Sequence, residues 1–182
     1  MSKKVYQIKI TLKNFSPTIW RRILIDESCT FDDLHLAIQA SMGWTNSHLY
    51  GFYVPDPSGT RGRKTMITLI DEAFDDDLDS AVEKLKNYEH LKKIQYEYDF
   101  GDGWDHQIII EKVLEKTSGE KYPKCIAGER ACPPEDIGGT FGYANFLDAI
   151  SDPKHPDHED MLDWCDENFD PEKFNPEDVK FQ

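Results

Sequence analysis

Apolar and polar residues alternate strictly at the start of the chain. Tyr6, Ile8, Ile10 and Leu12 recur at every second position between Val5 and Lys13, and a second β-rich run covers Ile19 to Ile25 after the break Asn14-Phe15-Ser16-Pro17. A period of two over both runs predicts a hairpin. The period then lengthens: Phe31, Leu34, Ile38 and Met42 fall at helical spacing, with Thr30 and Asp33 placed as a capping box and Gly43 as the stop. Two further strands are expected at His48 to Val54 and Lys64 to Ile70, separated by the turn Pro55-Asp56-Pro57-Ser58-Gly59 and a basic tip, Arg61-Gly62-Arg63-Lys64. The acidic stretch Asp71 to Asp79 reads as a solvated loop leading to a short helix near Ser80 to Tyr88.

The segment Tyr96-Glu97-Tyr98-Asp99-Phe100-Gly101-Asp102-Gly103-Trp104-Asp105-His106 writes another hairpin, with strands expected at Ile94 to Phe100 and Trp104 to Glu115. A two-residue Asp102-Gly103 turn would mix apolar and polar groups on both faces. A three-residue loop, Gly101 to Gly103, avoids that by pairing Phe100 with Trp104, Tyr98 with His106 and Tyr96 with Ile108. It also sets Asp99 across from Asp105, where like charges repel.

From Lys116 the pattern changes to loop and helix. Lys121 to Gly142 is rich in proline and glycine and is expected to be ordered but irregular. Tyr143, Phe146, Leu147 and Ile150 mark an amphipathic helix, and another is expected from about Pro156 with Met161, Leu162 and Trp164 facing inward. Pro171 and Pro176 each suit the first position of a helical turn. The order of elements predicts one α+β domain over 1–182, a mostly antiparallel sheet of about six strands packed against helices.

Composition narrows the function. The 182 residues carry 35 acids against 21 bases, a net charge of −14, which argues against broad phosphate-backbone binding and makes nucleic acid a poor partner. The imbalance is local: residues 1–50 carry +2 and residues 151–182 carry −8. A basic face near Arg21, Arg22, Arg61, Arg63 and Lys64 stays open as a possibility. No stretch is long and apolar enough to span a membrane and the N-terminus lacks a signal-peptide core, so a cytoplasmic location is expected. Cys29, Cys125, Cys132 and Cys165 are accordingly read as thiols or metal ligands rather than a disulfide frame.

Candidate chemistry gathers at the second hairpin. Asp99, Asp102 and Asp105, with His106, have the ligand types of a divalent-metal or polar-ligand site, while Asp102 is equally read as a turn former and Asp99 as the partner of Arg21 or Arg22. Cys125 and Cys132 could add two metal ligands, or fill gaps in a loop. A ligand pocket would collect Arg22, His35, His48, Asp99, Asp102 and His106 beside Trp20, Trp44 and Trp104. His48 and His106 also read as satisfied core histidines. Asp99-Phe100-Gly101 lacks the other kinase motifs, Gly101-Asp102-Gly103 lacks a dinucleotide fingerprint, and neither a serine-hydrolase nor a zincin signature occurs. Two function classes remain: a non-catalytic domain binding a protein or small polar ligand, and a metal-dependent enzyme, such as a hydrolase, using the hairpin carboxylates.

Four strings carry a resemblance: Pro17-Thr18-Ile19-Trp20-Arg21-Arg22; Leu34-His35 with Ile38-Gln39, Met42-Gly43-Trp44 and His48-Leu49; Tyr98-Asp99-Phe100-Gly101-Asp102 with Trp104 and His106; and Ala131-Cys132-Pro133-Pro134-Glu135-Asp136 with Gly138-Gly139 and Gly142-Tyr143. In this order they resemble the plasmid pRiA4b ORF-3-like family. The resemblance implies an α+β domain of bacteria and archaea and brings no assigned biochemical role. Members often carry a cysteine where this chain has Ile137, so a metal site built from the cysteine-rich segment would lack a ligand here. The plasmid-derived family name adds a third class, a nucleic-acid-associated protein of mobile elements acting through Arg61, Arg63 and Lys64.

Overall fold

A computed structural model describes residues 4–72, 76–165 and 169–181. Its centre is a sheet built from β1 (Lys4–Leu12), β2 (Trp20–Asp26), β3 (Tyr50–Pro55), β4 (Lys64–Thr68), β5 (Leu78–Asp79), β6 (Ile94–Tyr98), β7 (Trp104–Glu115) and β8 (Lys124–Glu129), in the order β5-β4-β3-β6-β7-β1-β2-β8. All pairs are antiparallel except β4 with β5. Three helices, α1 (Phe31–Met42), α2 (Gly139–Ser151) and α3 (His158–Trp164), complete the α+β architecture.

Local signals place β1, β2 and α1. Tyr6, Ile8, Ile10 and Leu12 are buried on one side of β1, and Ile23 and Ile25 do the same on β2. Thr30 accepts from the Asp33 N–H while the Asp33 carboxylate accepts from the Thr30 N–H, and Gly43 closes α1 in the left-handed region at φ 103°. Phe31, Leu34, Ala37 and Ile38 turn into the core. Each such buried side chain contributes roughly 1.5–3 kcal/mol for the larger residues.

Two strands exceed the expected six. β8 forms inside the segment expected to be irregular, because an edge strand needs only backbone pairing: Cys125 alone is buried along it, and Trp20, Arg21, Arg22, Ile23 and Leu24 supply the ladder. Its Gly128 is required, since a Cβ there would lie 2.4 Å from the Phe174 ring. β5 is two residues long at the end of the acidic stretch, of which residues 73–75 lie outside the described residues. The short helix expected at Ser80 to Tyr88 shrinks to a 3-10 turn, Leu85–Tyr88, and Pro176 opens another, Pro176–Asp178. α3 begins two residues after Pro156, but Leu162 and Trp164 are substantially exposed rather than inward.

The second hairpin differs most from expectation. Tyr98 pairs with Trp104, Tyr96 with His106 and Glu97 with Asp105, leaving a five-residue tip, 99–103. Asp99 leaves the ladder because its side chain has better partners: it takes φ 55° and its Oδ1 accepts the N–H of Gly101 at 2.9 Å and of Asp102 at 3.3 Å. The register slips by two residues, so the faces survive: Tyr96, Tyr98, Trp104, His106 and Ile108 are all buried on the core side. Phe100 instead is exposed, and Asp105 faces Glu97 rather than Asp99.

Candidate functional site

The tip is docked against the segment that precedes α2. Asp102 Oδ2 accepts the Gly138 N–H at 3.1 Å, and the Asp102 carbonyl lies so close to Gly139 that a Cβ there would approach its oxygen to 2.3 Å. Gly139 also sits at φ 67°. Gly139→Ala should therefore destabilise the protein by roughly 1–3 kcal/mol in urea titrations, from backbone strain and the lost approach together.

The same segment is fastened from the other side. Trp44 Nε1 donates to the Pro133 carbonyl at 3.1 Å, Trp164 Nε1 to the Glu135 carbonyl at 3.3 Å, and Glu135 Oε1 accepts from the Thr45 N–H at 2.8 Å and from the Tyr98 hydroxyl at 3.1 Å. Burial and the adjacent Glu135 push the Tyr98 phenol well up, so it stays a donor. These bonds fix Glu135 and Asp136 beside the hairpin tip.

His48 completes the constellation. Its Nε2 lies 3.2 Å from Asp136 Oδ1, 3.8 Å from Asp99 Oδ2 and 3.9 Å from Glu135 Oε2, and it has no hydrogen-bond partner although the atom is buried. Ligand atoms of His48, Asp99 and Asp136 lie within 4.8 Å of one another, the only such grouping of three or more among the described residues. Asp99 is nearly buried, with 9% of its side chain exposed, while Asp136 is 63% exposed and opens the group to solvent. Asn46, Asp99 and Asp136 all adopt left-handed backbone, at φ 58°, 55° and 56°. Three non-glycine residues in that region around one group mark a geometry the surroundings enforce.

His35 supports this site from beneath rather than lining it. The Gln39 amide donates to the Tyr96 hydroxyl at 3.1 Å, so that hydroxyl donates to His35 Nδ1 at 2.8 Å and His35 Nε2–H donates to Asn46 Oδ1 at 2.6 Å. The Asn46 N–H in turn donates to Gln39 Oε1 at 3.0 Å. The ring also stacks on Tyr50 at 3.5 Å. This closed network, with the His35 pKa lowered to about 4 chiefly by burial, holds the loop that presents His48.

Other expected site residues lie apart. His106 is fully buried under Trp44 and Tyr96, and Asp105, its neighbour in sequence, points to the opposite sheet face, so Asp99, Asp105 and His106 form no common site. Trp104 is likewise wholly buried. Arg22 lies on the open face, clamping Glu111 through Nε and Nη2 at 2.6 and 2.8 Å and lowering that carboxyl to about 2. Neither Arg21 nor Arg22 pairs with Asp99 among the described residues. Cys125 and Cys132 join no group of three ligands there; burial raises both thiols, and the buried Arg21 guanidinium beside them disfavours a second cation. Ile137, where a family cysteine is often found, packs against the core.

Glu135 and Asp136 are the functional candidates that sequence reasoning missed. Their signal lay in the fourth string: two adjacent acids inside a Pro- and Gly-rich segment too constrained to be a passive loop.

Comparison with known proteins places this geometry in a set of relatives. The model of a family described as plasmid pRiA4b ORF-3-like protein matches residues 4–178. An uncharacterized protein, y4hQ, of Sinorhizobium fredii is 38% identical over 173 residues, covering 91% of this chain and 82% of its own. The crystal structure of a protein of unknown function, MM3350, from Methanosarcina mazei Go1 matches with a TM-score of 0.91 at 40% identity, covering 100% of both chains.

Proposed function

The chain belongs to the plasmid pRiA4b ORF-3-like family, and we propose that it is a binding domain that holds a polar ligand through a divalent metal ion at His48, Asp99, Glu135 and Asp136. The observation that carries this reading is the buried, unpartnered His48 Nε2 facing three carboxylates. An imidazole nitrogen among carboxylate oxygens suits a first-row divalent ion such as Mn²⁺, Fe²⁺ or Zn²⁺ better than Ca²⁺ or Mg²⁺, which take oxygen ligands. The exposed Asp136 side leaves coordination positions for the ligand. Metal-assisted hydrolysis is the second reading, favoured by Glu135, whose Oε1 is tied to Thr45 and Tyr98 while Oε2 turns toward His48.

Among the described residues no helix is long and apolar enough to cross a membrane and no disulfide joins the cysteines; a cytoplasmic location agrees with both. Binding of Mn²⁺ and Zn²⁺, measured by calorimetry and elemental analysis, tests the site. One ion per chain is expected, bound roughly 10- to 100-fold more weakly by Asp99→Asn and by Asp136→Asn. Asparagine at 99 keeps an oxygen to accept the two tip N–H groups and tolerates left-handed backbone, so the loss would be of charge rather than fold. Unchanged affinity in both variants would sink the reading.

A further inference from the structure

On the open face of the sheet, away from the His48 group, β3, β6, β7 and the end of β1 enclose a concavity of about 410 Å³, within the size range of small-molecule sites. Its walls carry Lys13, Arg63, Lys64 and Lys93 around the Tyr53 ring and Asp105, a concentration of cations in a chain of net charge −14. Arg63 is already neutralised by Asp56 and Asp76. Lys64 donates to the neutral Gln95 amide, and Lys13 and Lys93 have no ion pair among the described residues. Asp105 is held in place by its carbonyl, which accepts the Lys13 N–H at 2.8 Å, yet its Oδ1 is buried without a hydrogen-bond partner. The facing Glu97 cannot help, being itself an acceptor taken by the Tyr53 hydroxyl at 3.0 Å.

We propose that this concavity binds a small phosphate monoester bearing hydroxyl groups. Three lysines without an ion pair among the described residues, Lys13, Lys64 and Lys93, line the concavity, where Asp105 is the one lining carboxylate; a phosphate monoester of about −1.5 to −2 at neutral pH can engage more than one of them, as a single carboxylate cannot. Lysines bind such a group as point charges from several directions. The orphan Asp105 oxygen supplies the complementary demand: it accepts a hydroxyl from the body of the ligand. The Tyr53 ring offers a flat apolar surface to that body. The lysines that would take the phosphate and the carboxylate that would take the hydroxyl thereby line one concavity, and a ligand needs both to fill the site.

The test titrates ribose 5-phosphate, ribose and inorganic phosphate into the intact chain, with a single-stranded oligonucleotide as a fourth probe. Saturable binding of ribose 5-phosphate is expected, weakened about tenfold in Lys64→Gln and in Lys93→Gln, both exposed positions that leave the fold unchanged. Asp105→Ala should bind inorganic phosphate more tightly than the wild type while losing the preference for ribose 5-phosphate over it. Binding should persist in Asp99→Asn and Asp136→Asn, which separates this site from the proposed metal group. Equal binding of ribose and ribose 5-phosphate, indifference to both lysine substitutions, or tighter binding of the oligonucleotide would each overturn the proposal.

Discussion

Acidification from pH 7 to pH 4 should remove on the order of 3 kcal/mol of stability for each of two buried histidines, His35 and His106, together comparable to the whole stability of many domains. Both rings are buried, and burial lowers each pKa from 6.5 to about 4. Between those values the unfolded chain binds a proton that the folded one refuses, so stability is complete above about pH 6.5, falls as the pH drops toward 4, and levels off below. The two rings differ in what surrounds them. His35 exchanges hydrogen bonds with Tyr96 and Asn46, whereas both nitrogens of His106 lack an aligned partner; the nearby Trp104 and Tyr96 carbonyls favour its charged form only weakly against burial.

That difference makes the prediction divisible. His106→Phe keeps a ring among Trp44 and Tyr96 and strands no acceptor, so it should change stability at pH 7 by less than about 1.5 kcal/mol and remove roughly half of the acid dependence. His35→Phe should instead lose about 1–3 kcal/mol at neutral pH, because the Tyr96 hydroxyl and the Asn46 oxygen lose their partner. Urea denaturation followed by circular dichroism from pH 7.5 to 4 reads all three proteins. Glu111 acts in a lower window: its carboxyl, lowered to about 2 by Arg22, stabilises above pH 4.5 and that contribution fades between 4.5 and 2. A wild-type stability that is flat from pH 6.5 to 4.5 would mean the buried rings do not titrate as the fold implies.

What the chain reveals by itself depends on how far apart the deciding atoms lie. The capping box of α1 and the alternation in β1 and β2 are local, and they appear where the residues put them. The parity of the second hairpin is also legible, since a slip of two residues preserves every face. Its tip is not, because Asp99 chooses between one more ladder pair and two backbone N–H groups, and the pattern of apolar residues is silent on that choice. Alternation alone puts Asp105 and His106 on opposite sheet faces, so the expected ligand set of Asp99, Asp105 and His106 was at odds with the strand's own period of two. The site needed more: Asp99 and Asp136 are 37 positions apart, joined by long-range bonds such as Asp102 on Gly138, Trp44 on Pro133 and Tyr98 on Glu135. Of the candidate residues, His48 and Asp99 meet; their carboxylate partners were hidden in a segment whose composition announced only constraint.

Arg21 sets the second large expectation, a loss of about 3–5 kcal/mol on replacement by alanine. Its side chain is 1% exposed and has no ion pair among the described residues. It is held instead by three carbonyls, donating from Nε to Ser41 at 2.8 Å and from Nη1 to Trp20 and Glu129 at 2.9 Å each, with its guanidinium 3.7 Å from the centroid of the Phe174 ring. Burial lowers its pKa, yet a guanidinium starts so high that it remains charged. One side chain thus ties β2 to the end of α1, to the end of β8 and to the C-terminal segment. Alanine would strand three carbonyl oxygens and leave a cavity beside Phe174. Methionine fills most of that space and should recover part of the loss. Lysine keeps the charge, but its single ammonium cannot reproduce the planar fork or lie flat against the ring, so Arg21→Lys should remain destabilised by more than about 1 kcal/mol. If lysine proved as stable as arginine, charge alone would account for the interaction and the three-carbonyl geometry would not matter; if alanine cost less than about 1 kcal/mol, the C-terminal segment would not depend on Arg21 for its anchorage.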